Sequence, residues 1–78
     1  MNHYRTESVG PYTAYISKDQ IYFEHDKYGE DDSCCVYIKH NRIYDYDMCY
    51  CIPLEVGDFL YKRAYNVYFD GEIWMIED

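Results

Sequence analysis

Seventy-eight residues make one domain, near the lower size at which a single core holds without disulfide or metal staples. The hydrophobic share is 49%, but 12 of those residues are tyrosine, so several rings must build the core with their hydroxyls reaching water or a partner, while the rest serve as surface anchors. A net charge of −8, with no basic cluster larger than Lys62-Arg63, disfavours nucleic acids and anionic membranes as direct ligands.

The charge points to a basic protein as partner, against the plainer role of keeping a small chain soluble. Seven Ile and four Val stand against two Ala and two Leu. Strands favour β-branched and aromatic residues and helices favour Ala and Leu, so the composition reads as mostly β. No apolar run approaches the ~18 residues of a membrane span, and MNHYRTESVG lacks the apolar stretch of a signal peptide. The expectation is a cytoplasmic chain with reduced cysteines.

Residues 1–10 are polar and without period, and read as a loose arm or one lying along the domain. Residues 12–26 read as a hairpin with Lys18-Asp19 at its tip. Ile16 then opposes Ile21, Ala14 opposes Phe23 and Tyr12 opposes His25. Thr13, Tyr15, Ser17, Gln20, Tyr22 and Glu24 form the wet face. Residues 24–33, EHDKYGEDDS, are acidic and aperiodic and read as a loop, either a solvated connection or a binding element.

Residues 34–39 form the next strand and pair with residues 42–52, RIYDYDMCYCI. This second segment alternates strictly, as a strand with one buried and one wet face requires. The reading places Tyr44, Tyr46, Met48, Tyr50 and Ile52 inside and Ile43, Asp45, Asp47, Cys49 and Cys51 outside. A two-residue turn at His40-Asn41 would set Val36 and Ile38 on the face of Asp45 and Asp47. A three-residue loop, with Asn41 left-handed, keeps the acids out of the core and is the register expected. Pro53 then opens a helix over residues 54–65, with Val56, Phe59, Leu60 and the Arg63 stem on one face. Gly57 opposes that assignment by about 1 kcal/mol, and a turn followed by a strand is the alternative. In residues 66–77, Asp70-Gly71 is a preferred two-residue hairpin turn, with Val67 opposite Trp74 and Tyr68 opposite Ile73.

The cysteines Cys34, Cys35, Cys49 and Cys51 lack the two-to-four-residue gap of common zinc pairs, and adjacent strand cysteines face opposite ways. Convergence on a metal would need a bulge, or His25 or His40. His3, His25 and His40 share no spacing. The paired carboxylates Asp45/Asp47 and Asp31/Asp32 would need a desolvating cleft for acid–base work. No nucleophile triad and no phosphate loop is present, so the chain reads as non-enzymatic, with no cofactor.

Carboxylates two apart on a strand lie ~6.8 Å apart on one face, a regular row of negative groups as in a nucleic-acid strand. The partner-binding candidates are Glu24, Asp26, Glu30, Asp31, Asp32, Tyr37, Asp45 and Asp47, with tyrosines standing where stacked bases would lie. In size, charge and tyrosine content the whole chain resembles the small acidic inhibitors of phages and mobile elements, such as anti-CRISPR and DNA-mimic proteins. That resemblance implies a module that blocks a basic nucleic-acid-binding surface of a host protein, in the host cytoplasm. A small zinc or thiol protein using the four cysteines is the alternative. A single-stranded nucleic-acid binder is a third reading, and it would need the bases gathered on one face. The expected fold is α+β: an antiparallel sheet of about six strands with one short helix near 54–65, against a small all-β barrel.

Overall fold

The computed structural model describes residues 4–48 and 51–78. Its elements run β1 (Arg5–Val9), β2 (Tyr12–Ile16), β3 (Gln20–His25), β4 (Gly29–Lys39), β5 (Arg42–Met48), α1 (Leu54–Lys62), β6 (Val67–Phe69) and β7 (Trp74–Ile76). The first five strands form one antiparallel meander in the order β1-β2-β3-β4-β5, and β6 and β7 form a separate pair. The fold is therefore α+β as expected. Because β1 and β5 remain open edges, the barrel alternative does not hold.

The β2–β3 hairpin matches the expected pairing residue for residue, from Tyr12 with His25 to Ile16 with Ile21. Strict alternation within one short hairpin leaves a single register that buries Ala14, Ile16, Ile21 and Phe23 together. Of the arm expected over residues 1–10, loose or lying along the domain, Arg5–Val9 lies along it as strand β1, and residues 1–3 lie outside the described residues. Gly10, at φ 59°, supplies the positive φ needed for the tight turn between Val9 and Tyr12. The inward positions of β1 include Arg5 and Glu7, so this strand carries no apolar period. Arg63 from the helix caps it by donating to Glu7 at 2.7 Å.

The β4–β5 pair resolves the register conflict by a different device. The turn is the two-residue one, with His40 at φ 55° and Asn41 at φ 63°, the two positive values of a type I′ turn. Ile38 pairs with Ile43, then the register shifts so that Tyr37 pairs with Asp45 and Val36 with Tyr46. Tyr44 is the extra residue of a β-bulge. The expectation that Tyr44 lines the core and Ile43 faces water is thus reversed: Ile43 is 4% exposed and Tyr44 65%. Tyr46 shares the inner face with Val36, but on an edge strand it is 53% exposed and is not a core residue. Asp45 and Asp47 stay on the outer face as expected.

Helix α1 covers one face of the meander. Val56, Gly57, Phe59 and Leu60 are buried, and Phe59 meets Phe23 edge-on at 5.4 Å between ring centroids. Burying a side chain such as Phe23, Leu60 or Val56 contributes about 1.5–3 kcal/mol. Gly57 has a packing reason: a Cβ there would collide with the Trp74 indole, which lies against the helix backbone. Ala64, at φ 64°, ends the helix, and the N–H groups of Ala64 and Tyr65 donate to the carbonyls of Tyr61 and Leu60 in a Schellman motif.

The β6–β7 hairpin is real, but its register differs from the expected one by two residues. Val67 pairs with Ile76, Tyr68 with Met75 and Phe69 with Trp74. The Asp70 carboxylate accepts from the N–H groups of Glu72 and Ile73, at 2.8 and 2.9 Å, and so closes a four-residue connection. A shift of two preserves faces, so Val67, Phe69, Trp74 and Ile76 still share one side. Trp74 is half-buried rather than fully enclosed. Asn66 ties this hairpin to the meander. Its amide accepts from the Ile43 N–H at 2.7 Å, and donates to the Ile43 and Glu77 carbonyls at 3.0 and 2.7 Å.

Candidate functional site

With α1 on one side, the other side of the five-stranded sheet carries no described element. Cross-strand pairing defines what that face displays. One row runs Thr6, Tyr15, Tyr22, Cys35, Asp47. The rows on either side hold Gln20, Tyr37 and Asp45, and Ser8, Thr13, Glu24 and Ser33. The face is therefore an aromatic band that ends in carboxylates along β5.

The rings support one another. Tyr4 meets Tyr15 at 5.8 Å, and Tyr15 meets Tyr22 at 6.0 Å between centroids. The Tyr22 hydroxyl donates to Glu24 at 3.1 Å. Burial, together with that carboxylate, raises the Tyr22 pKa even though a hydrogen bond from Ser33 opposes the shift. Tyr37 is raised by its hydrogen bond with the neighbouring Cys35 thiol, with smaller contributions from Asp47 and Asp45. Both phenols are held in the neutral form, which can donate a hydrogen bond as well as present a ring.

The sequence-derived candidates separate into two groups. Glu24, Tyr37, Asp45 and Asp47 stand together on the open face. Asp26 lies at its rim, where the Thr13 hydroxyl donates to it at 2.6 Å. Glu30, Asp31 and Asp32 are not in a loop: they sit in strand β4, within an irregularity between the pairs Glu24–Ser33 and His25–Gly29. Only residues 26–28 turn, and His25 Nδ1 closes that turn by accepting from the N–H groups of Lys27 and Tyr28. Asp32 accepts from the buried Tyr12 hydroxyl at 3.0 Å and so belongs to the helix side. Sequence reasoning did not count Tyr4, Tyr15 and Tyr22 as site residues. The hairpin alternation had nevertheless placed Tyr15 and Tyr22 on the wet face, and that was the available signal.

Cys34 and Cys35 are both buried but on opposite sides of β4, with Cys34 in the core and Cys35 on the tyrosine face. Burial pushes the Cys34 thiol up to about 12, so it stays protonated and unreactive at neutral pH. Cys51 is exposed, and Cys49 lies outside the described residues. Among the described residues, no three His, Cys, Asp or Glu side chains converge as a metal site would need. No described helix is long and apolar enough to cross a membrane. Comparison with protein families, with curated proteins and with solved structures finds no match to this chain.

Proposed function

We propose that this chain is a non-enzymatic, acidic protein-binding module, an inhibitor that lays its open sheet face on a basic nucleic-acid-binding surface of another protein. The observation that carries the reading is the composition of that face: a supported tyrosine band running into Glu24, Asp45 and Asp47. Asp45 and Asp47 repeat negative charge along β5 at ~6.8 Å, on a surface wide enough to replace a nucleic-acid strand. The rings supply apolar area at low entropic cost, because their neighbours already hold them. A net charge of −8 steers the encounter.

The test is competition. A nucleic-acid-binding protein captured by this chain is expected to lose nucleic-acid affinity as the chain saturates it. Association should slow with salt, as the Debye length falls from ~10 Å at 0.1 M to ~3 Å at 1 M. Changing Asp45 and Asp47 together to Asn should weaken binding with little effect on folding, since both are exposed. A saturated partner that keeps its full nucleic-acid affinity would overturn the reading.

A further inference from the structure

We infer that the open face selects arginine over lysine on its partner, an inference that rests on the proposed basic-surface reading. Tyr22 stands two residues from Glu24 on one strand and donates to it. Tyr37 is directly opposite Asp45, and Cys35, two residues before Tyr37 on the same face, is opposite Asp47. Every carboxylate of the pair-defined face thus has a tyrosine ring as a near neighbour. A guanidinium is planar: it stacks on a ring while its edge donates a fork of hydrogen bonds to a carboxylate. An ammonium is compact and strongly hydrated, and gains less from a ring and a carboxylate set side by side.

The opposite side of the same sheet already holds an arginine in this way. The Arg63 guanidinium carbon lies 3.6 Å from the Phe59 ring centroid, and its Nη2 donates to the strand carboxylate of Glu7 at 2.7 Å. Two lysines each meet a carboxylate or a ring, but not both. Lys62 meets Asp58 at 3.0 Å, and Lys27 sits 5.3 Å from the Tyr28 centroid. The open face repeats the ring-plus-carboxylate arrangement, and the nearest arginine, Arg42, which pairs with Lys39 beyond the Tyr37–Asp45 pair, donates instead to the Glu77 carbonyl at 3.3 Å. Glu24 on β3 lies two strands from β5 and one same-face step along from Asp47, ~12 Å in all and further still from Asp45, so two arginines of one segment fit without sharing a carboxylate. Charge complementarity admits any cation, and the rings are what make the choice.

The experiment uses two labelled peptides of equal length and charge, one alternating arginine with glycine and the other lysine with glycine. Binding to the full chain is followed by fluorescence anisotropy. The arginine peptide is expected to bind roughly tenfold more tightly, the size of one cation–π contact at a partly buried ring. Tyr22→Leu and Tyr37→Leu should bring the two affinities together while lysine binding persists. As a readout that needs no variant, the arginine δ-methylene protons should move upfield in the NMR spectrum on binding, as ring stacking requires. Equal affinity for both peptides overturns this inference and leaves the basic-surface reading standing. Binding of neither peptide overturns both. A tenfold preference that survives in both leucine variants, or that comes without the upfield shift, assigns the selectivity to something other than the rings and also overturns the inference.

Discussion

Ala64 occupies the left-handed position that ends α1, with φ at 64°. A side chain there crowds the backbone at a cost of roughly 1–2 kcal/mol, which glycine avoids. Ala64→Gly is therefore expected to stabilise the fold by about 1 kcal/mol, because the Schellman hydrogen bonds to Leu60 and Tyr61 are backbone bonds and survive the change. A urea midpoint that rises with an unchanged slope would bear this out, and a fall would show that the Ala64 methyl is a packing contact. Asn66, two positions further on, is of the residue type that more commonly takes the left-handed position. In the fold Asn66 is committed instead to Ile43, 23 positions earlier. No local pattern reveals a side-chain amide that stands in for a strand partner at that distance.

At the scale of elements, legibility follows how local the determinant is. The β2–β3 hairpin was readable pair by pair, because its alternation and its turn agree. Strand β1 was not, because its inward Glu7 is satisfied by Arg63 from a helix 56 positions away. In β4–β5, two devices keep Asp45 and Asp47 out of the core equally well: a three-residue loop, or a two-residue turn with a bulge. Alternation cannot distinguish them, since both reverse parity once. They differ in what Tyr44 does. As the bulge residue it opposes nothing, and its removal would bring Ile38–Ile43 and Tyr37–Asp45 into one regular ladder. Deleting Tyr44 is therefore expected to leave every other pair intact and to cost no more than about 1 kcal/mol, as for an exposed, unpaired residue. Under the three-residue loop the same deletion would drive Asp45 inward. Loss of cooperative unfolding in the deletion variant would speak for that register and against the bulge.

For the molecule as a whole, recognition and pH range have different origins. In the reading proposed above recognition belongs to the open side, whereas the pH range over which the fold persists is set by buried thiols and phenols on both sides of the sheet. Burial raises the Cys34 thiol from 9.0 to about 12, with Cys35 and Asp32 adding to the shift. Tyr12 is raised by burial and by its hydrogen bond to Asp32, and burial is the main cause of the rise at Cys35 and Tyr22. All four groups are neutral when protonated, and the folded chain keeps those protons to higher pH than the unfolded chain does. The stability they contribute is full below the unfolded values and declines once the unfolded chain begins to ionise, from about pH 9 for the thiols and about pH 10 for the phenols. For Cys34 the decline continues to about 12, where the folded state ionises as well. Each new negative charge also adds to a chain that already carries −8. Urea midpoints are therefore expected to be level through neutral pH and to fall steadily from about pH 9 upward. Cys34→Ala separates the thiol from the rest. It should lower stability at neutral pH, because it removes a buried sulfur, yet flatten the alkaline decline, because one proton no longer distinguishes the two states. If the variant declines as steeply as the parent, the Cys34 thiol is not linked to folding, and the alkaline limit belongs to Cys35, Tyr12 and Tyr22.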